Sequence, residues 1–384
     1  MFHKKTIRDV ELADQVILLR ADYNVPLATI HAAADELAEN NELTNAGEVT
    51  LAAPTSVEIT SDFRIRASLP TLQYLLAHDV AKIVIISHLG RPKGKEDSLS
   101  LRPVAEHLAE LLPGHVINFV DEITGPEVAA AVEDLPEGGI LLLENLRFDP
   151  REKANDADFA RELVDFSGAQ LFVQDGFAVT HREQASTAAI TKLLPSVAGL
   201  LVEKEVTMLT RAVQDPARPF TVVIGGAKVT DKQPLIDKFL PIADHLAVGG
   251  KIAADGYTSN NPKIYVATDF DEDGAGEKLD IGPVATTEVI DLVQQSQTVL
   301  WNGVLGKVED AAYATSSTIL AKYLGENPAI TSIICGGDTA GFVEGLCAEN
   351  PDLQFSLIST GGGAALELLS GGMMPGLENL ADKD

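Results

Sequence analysis

Short β-branched runs, each ending in a polar or glycine-rich turn, recur along the whole 384-residue chain. QVILLRADYN, KIVIISHLGR, ILLLENLRF and LFVQDGF occupy the first half, and FTVVIGGAK, HLAVGGKIA, TVLWNGVLG, SIICGGDTA and FSLISTGGG the second. Amphipathic stretches such as LRPVAEHLAELL and ADFARELVDF lie between them. A run that is apolar throughout, not at alternate positions, offers no face to water and must be covered on both sides. Strands of that kind alternating with helices build parallel sheets. The chain is too long for one ordinary core, so the expectation is α/β: two doubly wound parallel-sheet domains joined by a helical hinge.

The boundary is expected near SVAGLLVEKEVTMLTRAV (196–213). Its apolar positions, Val197, Leu200, Leu201, Met208, Leu209 and Val213, spread around a helix, as a connector touched on several sides would need. This divides the chain into 1–195, a connecting helix at 196–213, and 214–384. Residues 28–62 are alanine-rich, acidic and weakly periodic, and read as a surface excursion with a hairpin around Asn45-Ala46-Gly47. DEDGAGEKLD (271–280) lacks the full twelve-residue calcium-loop pattern and reads as a solvated acidic loop.

A formal charge of −28 repels nucleic acid and anionic membranes, so neither is an expected partner. No apolar run approaches the roughly 20 residues that span a bilayer. The start, MFHKKTIRDVELAD, turns acidic where a signal peptide would turn apolar. Two cysteines, Cys335 and Cys347, without CxxC spacing fit a reducing, cytoplasmic setting.

Open α/β sheets bind ligands at the carboxyl ends of their strands. In the first half those ends carry Asp22, Asn24, His88, Arg91, Glu144, Arg147 and Asp175. In the second they carry glycine pairs with Lys228, Lys251, Asp338 and Thr339. Arg20, Arg64, His88, Arg91, Arg147, His181 and Arg182 all fall at or near strand ends or turns, and their convergence would suit a small, highly charged acid. Asp22 and Asn24 would then bind its hydroxyl or orient the arginines. All twelve arginines lie at or before Arg218, whereas from residue 219 onward the cations are lysines. A guanidinium fork suits a bidentate carboxylate or phosphate, and lysine serves as a mobile point charge on phosphates.

GGAKVTDK (225–232), GGDTA (336–340) and TGGGAA (360–365) each follow a strand and open a helix. Glycine lets amides approach an anion closely, and a helix start adds partial positive charge; glycine also serves tight packing of helix on strand. The chain contains no GxxxxGK[ST], and no GxGxxG follows the first strand of either half, which argues against P-loop and dinucleotide readings. No serine–histidine–aspartate grouping and no cysteine beside a histidine supports covalent acyl chemistry.

RADYNVPL, SHLGRPKGK, LLLENLRF, THREQAS, GGAKVTDK, the WNG of LWNGVLGKVE, GGDTA and STGGGAALELL occur in the order found in phosphoglycerate kinases, which the whole chain resembles. The resemblance implies two Rossmann-like lobes and phosphoryl transfer between 1,3-bisphosphoglycerate and ADP, giving 3-phosphoglycerate and ATP. It implies an acid site of Asp22, Asn24, Arg64, His88, Gly90, Arg91, Arg147, His181 and Arg182. It implies a nucleotide site of Lys228, Lys232, Glu309, Gly336, Gly337, Asp338 and Thr339, with Asp338 as ligand to the Mg2+ that travels with the nucleotide. Arg64, Lys228 and the amides of Gly361, Gly362 and Gly363 would stabilise the group in flight. A cytoplasmic monomer that closes its hinge on both substrates together, with its last residues packing back on the N-terminal domain, completes the expectation.

Three departures stand out. Lys251 replaces the third glycine after β-strand HLAV, Lys307 enters WNGVLGKVE where the family has WNGPMGVFE, and the 28–62 excursion is longer than the family's turn. The two lysines bear on nucleotide affinity or base preference, and they are the only support for the alternative of a non-catalytic relative that binds the acid and acts as a sensor or partner; Lys228, Lys232, Glu309, Asp338 and the triple glycine speak against it.

Overall fold

The computed structural model describes residues 2–31 and 55–383. Its first-half strands are β1 (Val16–Arg20), β2 (Leu27–His31), β3 (Thr55–Ile59), β4 (Lys82–Ile86), β5 (Ile117–Val120), β6 (Gly139–Leu143), β7 (Leu171–Gln174) and β8 (Ser196–Ala198). The second half contributes β9 (Phe220–Ile224), β10 (His245–Val248), β11 (Ile264–Val266), β12 (Phe270–Glu272), β13 (Lys278–Ile281), β14 (Thr298–Asn302), β15 (Thr331–Cys335) and β16 (Leu357–Ile358). Two six-stranded sheets result, ordered β5-β6-β4-β1-β7-β8 and β11-β10-β9-β14-β15-β16, in which the registered pairs are parallel.

The reason is the one read from the apolar runs. Ile17, Leu18 and Leu19, Ile83 to Ile86, and Ile140 to Leu143 are wholly buried, as are Val222, Val223, Ile224, Leu300 and Trp301. Each such side chain removed from water contributes about 1.5–3 kcal/mol. Trp301 meets the remaining demand of its indole by donating to the Gly303 carbonyl at 2.8 Å. In the second sheet β10 and β11 lie to one side of β9, and β14, β15 and β16 to the other. Chain direction across the sheet therefore reverses between β9 and β14, where such sheets bind ligands.

By their contacts, residues Leu12–Leu171 form one compact unit, and Met1–Glu11 with Phe172–Asp384 form another. The division differs from the expected one near residue 195. Residues 176–180 pack against later parts of the chain: the Gly376 N–H donates to the Thr180 carbonyl at 2.8 Å, and Phe177 joins the core of the second sheet. The expected connector is also shorter than 196–213. Ser196–Ala198 is strand β8, and the helix runs Leu200–Gln214. Its buried positions, Val202, Glu205, Val206, Leu209 and Ala212, form one stripe and not the all-round distribution expected.

The two ends of the chain pair with each other. The Lys5 N–H donates to the Ala381 carbonyl at 2.7 Å, and Lys4 bridges to Asp382, whose carboxylate lies 2.8 Å from its ammonium. The Ala381 N–H donates in turn to Ser196 at 2.9 Å.

β2 and β3 pair antiparallel from Leu27↔Ile59 to His31↔Thr55, so the excursion leaves and returns as a hairpin stem. Asn45-Ala46-Gly47 lies outside the described residues. DEDGAGEKLD is not merely solvated: β12 and β13 pair antiparallel, and Asp273 Oδ1 accepts the Ala275 and Glu277 N–H groups at 2.8 Å each. Those bonds hold the Asp273 carboxyl below its ordinary range.

Candidate functional site

Within residues 12–171 the loops after β1, β4 and β6 meet. Asp22, buried, accepts a hydrogen bond from the Arg64 guanidinium and lies 3.8 Å from His88 Nδ1. Arg64 is the second residue of the helix Phe63–Leu76, and part of its side chain remains exposed. Arg20, fully buried, donates to His88 Nδ1 at 3.1 Å. Arginine only donates, so that ring nitrogen is the acceptor. The Gly90 N–H donates to Asn24 Oδ1 at 2.8 Å, and the Gly90 carbonyl accepts from Arg147 at 2.5 Å. Gly90 has φ +63°, a left-handed conformation open to glycine at little cost, and a Cβ there would strike Leu99. Arg91 follows, exposed.

Asp22, Asn24, Arg64, His88, Gly90 and Arg147 are thus connected, directly or through one another. Glu144 and Asp175 are not part of this group. Glu144 accepts from Ser100 Oγ and the Leu101 N–H at 2.7 and 2.9 Å, fastening the start of the helix Arg102–Leu111. Asp175 accepts from the Leu201 N–H at 3.1 Å at the start of Leu200–Gln214.

The other expected residues belong to the second unit. Arg182, exposed, donates from Nε to His181 Nε2 at 3.3 Å. Burial, and then the Arg182 charge, push the His181 imidazole below its ordinary range, against an opposing pull from Glu367. A ring so placed is a neutral acceptor over more of the pH scale.

At the carboxyl ends of β9 and β14 the backbones nearly touch. The Gly225 N–H donates to the Asn302 carbonyl at 3.0 Å and the Gly226 N–H to the Val304 carbonyl at 2.9 Å. No Cβ fits at Gly225 or Gly303. Gly225 of GGAK and Gly303 of WNG thus serve backbone-on-backbone packing, and the Gly225 and Gly226 amides are taken up at that contact. Lys228 stands exposed at the start of the helix Val229–Phe239. One turn on, the Lys232 ammonium donates to Asn302 Oδ1. Asn302 is fully buried, and among the described residues its Nδ2 has no hydrogen-bond partner. Sequence reasoning passed over Asn302, although it sits in the quoted WNG; the signal was a buried amide at a strand end facing a glycine turn.

Gly336, at φ +93°, precedes the helix Gly337–Glu349, with Asp338 exposed in its first turn. Thr339 is buried, and its Oγ1 accepts the Gly303 N–H at 2.8 Å, tying the GGDT turn to the loop after β14. Glu309 is exposed on that loop. Lys251 lies 3.2 Å from Asp255 and 3.7 Å from Glu277, and the Lys307 N–H donates to the Leu279 carbonyl at 2.8 Å. Both departures are therefore joined to the β12–β13 hairpin or its surroundings.

The three glycines of STGGG have three separate reasons. A Cβ on Gly361 would enter the buried ring of Phe177. Gly362 adopts φ +45°, ψ −104° at the start of the helix Gly363–Ser370, with open space around it. Gly363 is exposed, and a Cβ there would lie 3.7 Å from His181 Nε2. The Gly361 N–H donates to Ser359 Oγ at 3.1 Å, so it does not share the role expected of all three amides. Gly362 and Gly363 open the helix, whose first N–H groups have no acceptor within it.

The turn is held from below by Glu205, fully buried in the helix Leu200–Gln214. Its carboxylate accepts from Ser359 Oγ at 2.5 Å, the Thr360 N–H at 2.9 Å and Thr360 Oγ1 at 2.6 Å. A buried carboxylate is tolerated when several donors replace its water. Sequence reading missed it because its partners lie some 155 residues away.

The phosphoglycerate kinase family model matches residues 49–266 and 255–372. A phosphoglycerate kinase of Roseiflexus sp. (strain RS-1) is 37% identical over 426 aligned residues, covering 99% of this chain and 99% of that protein. One from Chloroflexus aggregans is 38% identical over 435, covering 100% of each. Among solved structures, phosphoglycerate kinase from Coxiella burnetii aligns at TM-score 0.73 and 28% identity over 98% of both chains. That from Pyrococcus horikoshii OT3 aligns at TM-score 0.79 and 25% identity over 99% of this chain and 98% of its own.

Proposed function

The chain belongs to the phosphoglycerate kinase family, and on that premise we propose how its residues divide the work. It is a phosphotransferase whose acceptor is a carboxyl group, acting reversibly between 1,3-bisphosphoglycerate with ADP and 3-phosphoglycerate with ATP. The observation that carries the reading is the linked cluster of Asp22, Arg64, Asn24, Gly90, His88 and Arg147, which suits a small acid bearing phosphate and carboxylate. Arg91, His181 and Arg182 complete the acid site. Lys228, Lys232, Gly336, Gly337, Asp338 and Thr339 hold the nucleotide phosphates, with Glu309 on the ribose, and the unpartnered Asn302 amide adds a donor beside Lys232.

Transfer places charge on three equatorial phosphoryl oxygens, so catalysis is positioning plus electrostatic stabilisation. Lys228 and Arg64 supply full charges and the Gly362 and Gly363 amides partial ones. The attacking oxygen is already ionised, and no general base is needed. Asp338, an exposed oxygen ligand at a helix start, fits Mg2+, which binds through one or two carboxylates and the substrate's phosphates. Among the described residues no group of three or more His, Cys, Asp or Glu could hold a metal ion. Bound at Asp338, Mg2+ would neutralise phosphate charge. By role, 1–195 serves the acid and 214–384 the nucleotide.

Reacting atoms must come within about 3–3.5 Å, so we expect hinge closure driven by both substrates together. Small-angle scattering on the free protein, each single complex and the ternary complex tests this; an unchanged radius of gyration in the ternary sample defeats it. No helix among the described residues is long and apolar enough to cross a membrane. We expect a cytoplasmic monomer with small-molecule partners alone; the charge of −28 disfavours nucleic acid and anionic membranes. The non-catalytic alternative finds no support: Lys228, Lys232, Glu309 and Asp338 are all present, and the match spans the chain. A coupled assay of ADP formation from ATP should show turnover only when 3-phosphoglycerate is added. Absence of that dependence rejects the function.

A further inference from the structure

Asp62 immediately precedes the helix Phe63–Leu76, two residues before Arg64. An aspartate in that position ordinarily turns its carboxylate onto its own helix, but here it makes no such bond. It accepts instead from His107 Nε2 at 2.8 Å and from Arg66 Nε at 2.8 Å. The second ring nitrogen of His107, Nδ1, lies 3.0 Å from the Glu110 carboxylate. Ionised carboxylates only accept, so both contacts are hydrogen bonds at once only if both ring nitrogens carry protons. Burial opposes ionisation of Asp62, yet the bonds from His107 and Arg66 hold its carboxyl below the ordinary range.

We propose that His107 is a positioning residue for the acid site: its ring, set between Asp62 and Glu110, fixes the start of the helix from which Arg64 reaches Asp22. This rests on the reading that Arg64 acts on the transferred group. The charged groups against the ring are Asp62 and Glu110, with Arg66 behind Asp62. Of the strands packed on the His107 helix, β5 carries no ionisable side chain and β3 carries Glu58.

Steady-state kinetics on wild type, His107→Gln, His107→Arg and Arg64→Ala test this. His107→Gln should lower kcat about 3–10-fold, the loss of one charge-assisted hydrogen bond. It should also leave the KM for ATP within about twofold of wild type. His107→Arg keeps donors on both sides, so it should restore kcat. If His107→Gln keeps wild-type kcat while Arg64→Ala is impaired, the positioning role is wrong. If Arg64→Ala is also unimpaired, the site reading itself fails. Equal losses in His107→Gln and His107→Arg, or failure of both to fold, would mark a merely structural residue and overturn the proposal.

Discussion

In residues 12–171 the candidate groups are side chains already engaged with one another: Arg64 on Asp22, Arg147 on the Gly90 carbonyl, Asn24 on the Gly90 amide. In residues 172–384 they are mostly exposed ends, Lys228, Glu309 and Asp338, mounted on turns whose glycines press backbone against backbone. The first arrangement has its side-chain entropy removed during folding. The second leaves each long side chain to be ordered by the ligand, at about 0.5–1.5 kcal/mol apiece. A small acid has few atoms with which to order a site and needs one already built. A nucleotide is large, brings its own charge and metal, and can order what it meets. The same distinction explains why arginines serve one side and lysines the other.

The sharpest way to break this contrast is Lys228→Ala. A mobile charge that acts on the group in transit should cost about 10²–10³-fold in kcat when removed, with little change in either KM. Turnover within a factor of two of wild type would remove Lys228 from the mechanism. Next in size, Arg64→Ala should reduce kcat about 10²-fold, whereas Arg182→Ala should mainly raise the KM for 3-phosphoglycerate, about tenfold for one charged hydrogen bond. Identical kinetic signatures would erase the distinction between a reacting and a merely holding arginine.

Smaller effects separate the glycines. Gly361→Ala pushes a methyl into Phe177 and should lower stability by about 1–3 kcal/mol, the usual scale of overpacking. Gly362→Ala meets open space and costs only the left-handed backbone, about 1–2 kcal/mol. Thermal unfolding of both, measured beside kcat, should show Gly361→Ala losing stability and Gly362→Ala losing turnover more than stability. The reverse order would mean that Gly361, not Gly362, faces the phosphoryl group.

Much of this was legible in the chain because its signals are local. Runs such as KIVII and ILLL announce a strand covered on both faces, and charges just beyond them announce a strand-end site. What escaped was long-range. Nothing near Glu205 says that its carboxylate will meet Ser359 and Thr360, and nothing near Gly225 says that its neighbour is Gly303. Ser196–Ala198 reads as the first turn of a helix until β7 pairs with β8. The bond between the Thr180 carbonyl and Gly376 has the same character, since no run near residue 180 announces it. Local periodicity reports on faces; it does not report which distant face will arrive.

The pairing of the chain's two ends also sets an order of assembly. Residues Leu12–Leu171 are contiguous, so that unit has all its parts as soon as they leave the ribosome. The other unit begins with Met1–Glu11, emerging first, and ends with the segment whose Ala381 receives the Lys5 amide. At about 5–20 residues per second, the first-made segment waits roughly 20–75 s for the last-made one. The earliest residues to exist are among the latest to find their place.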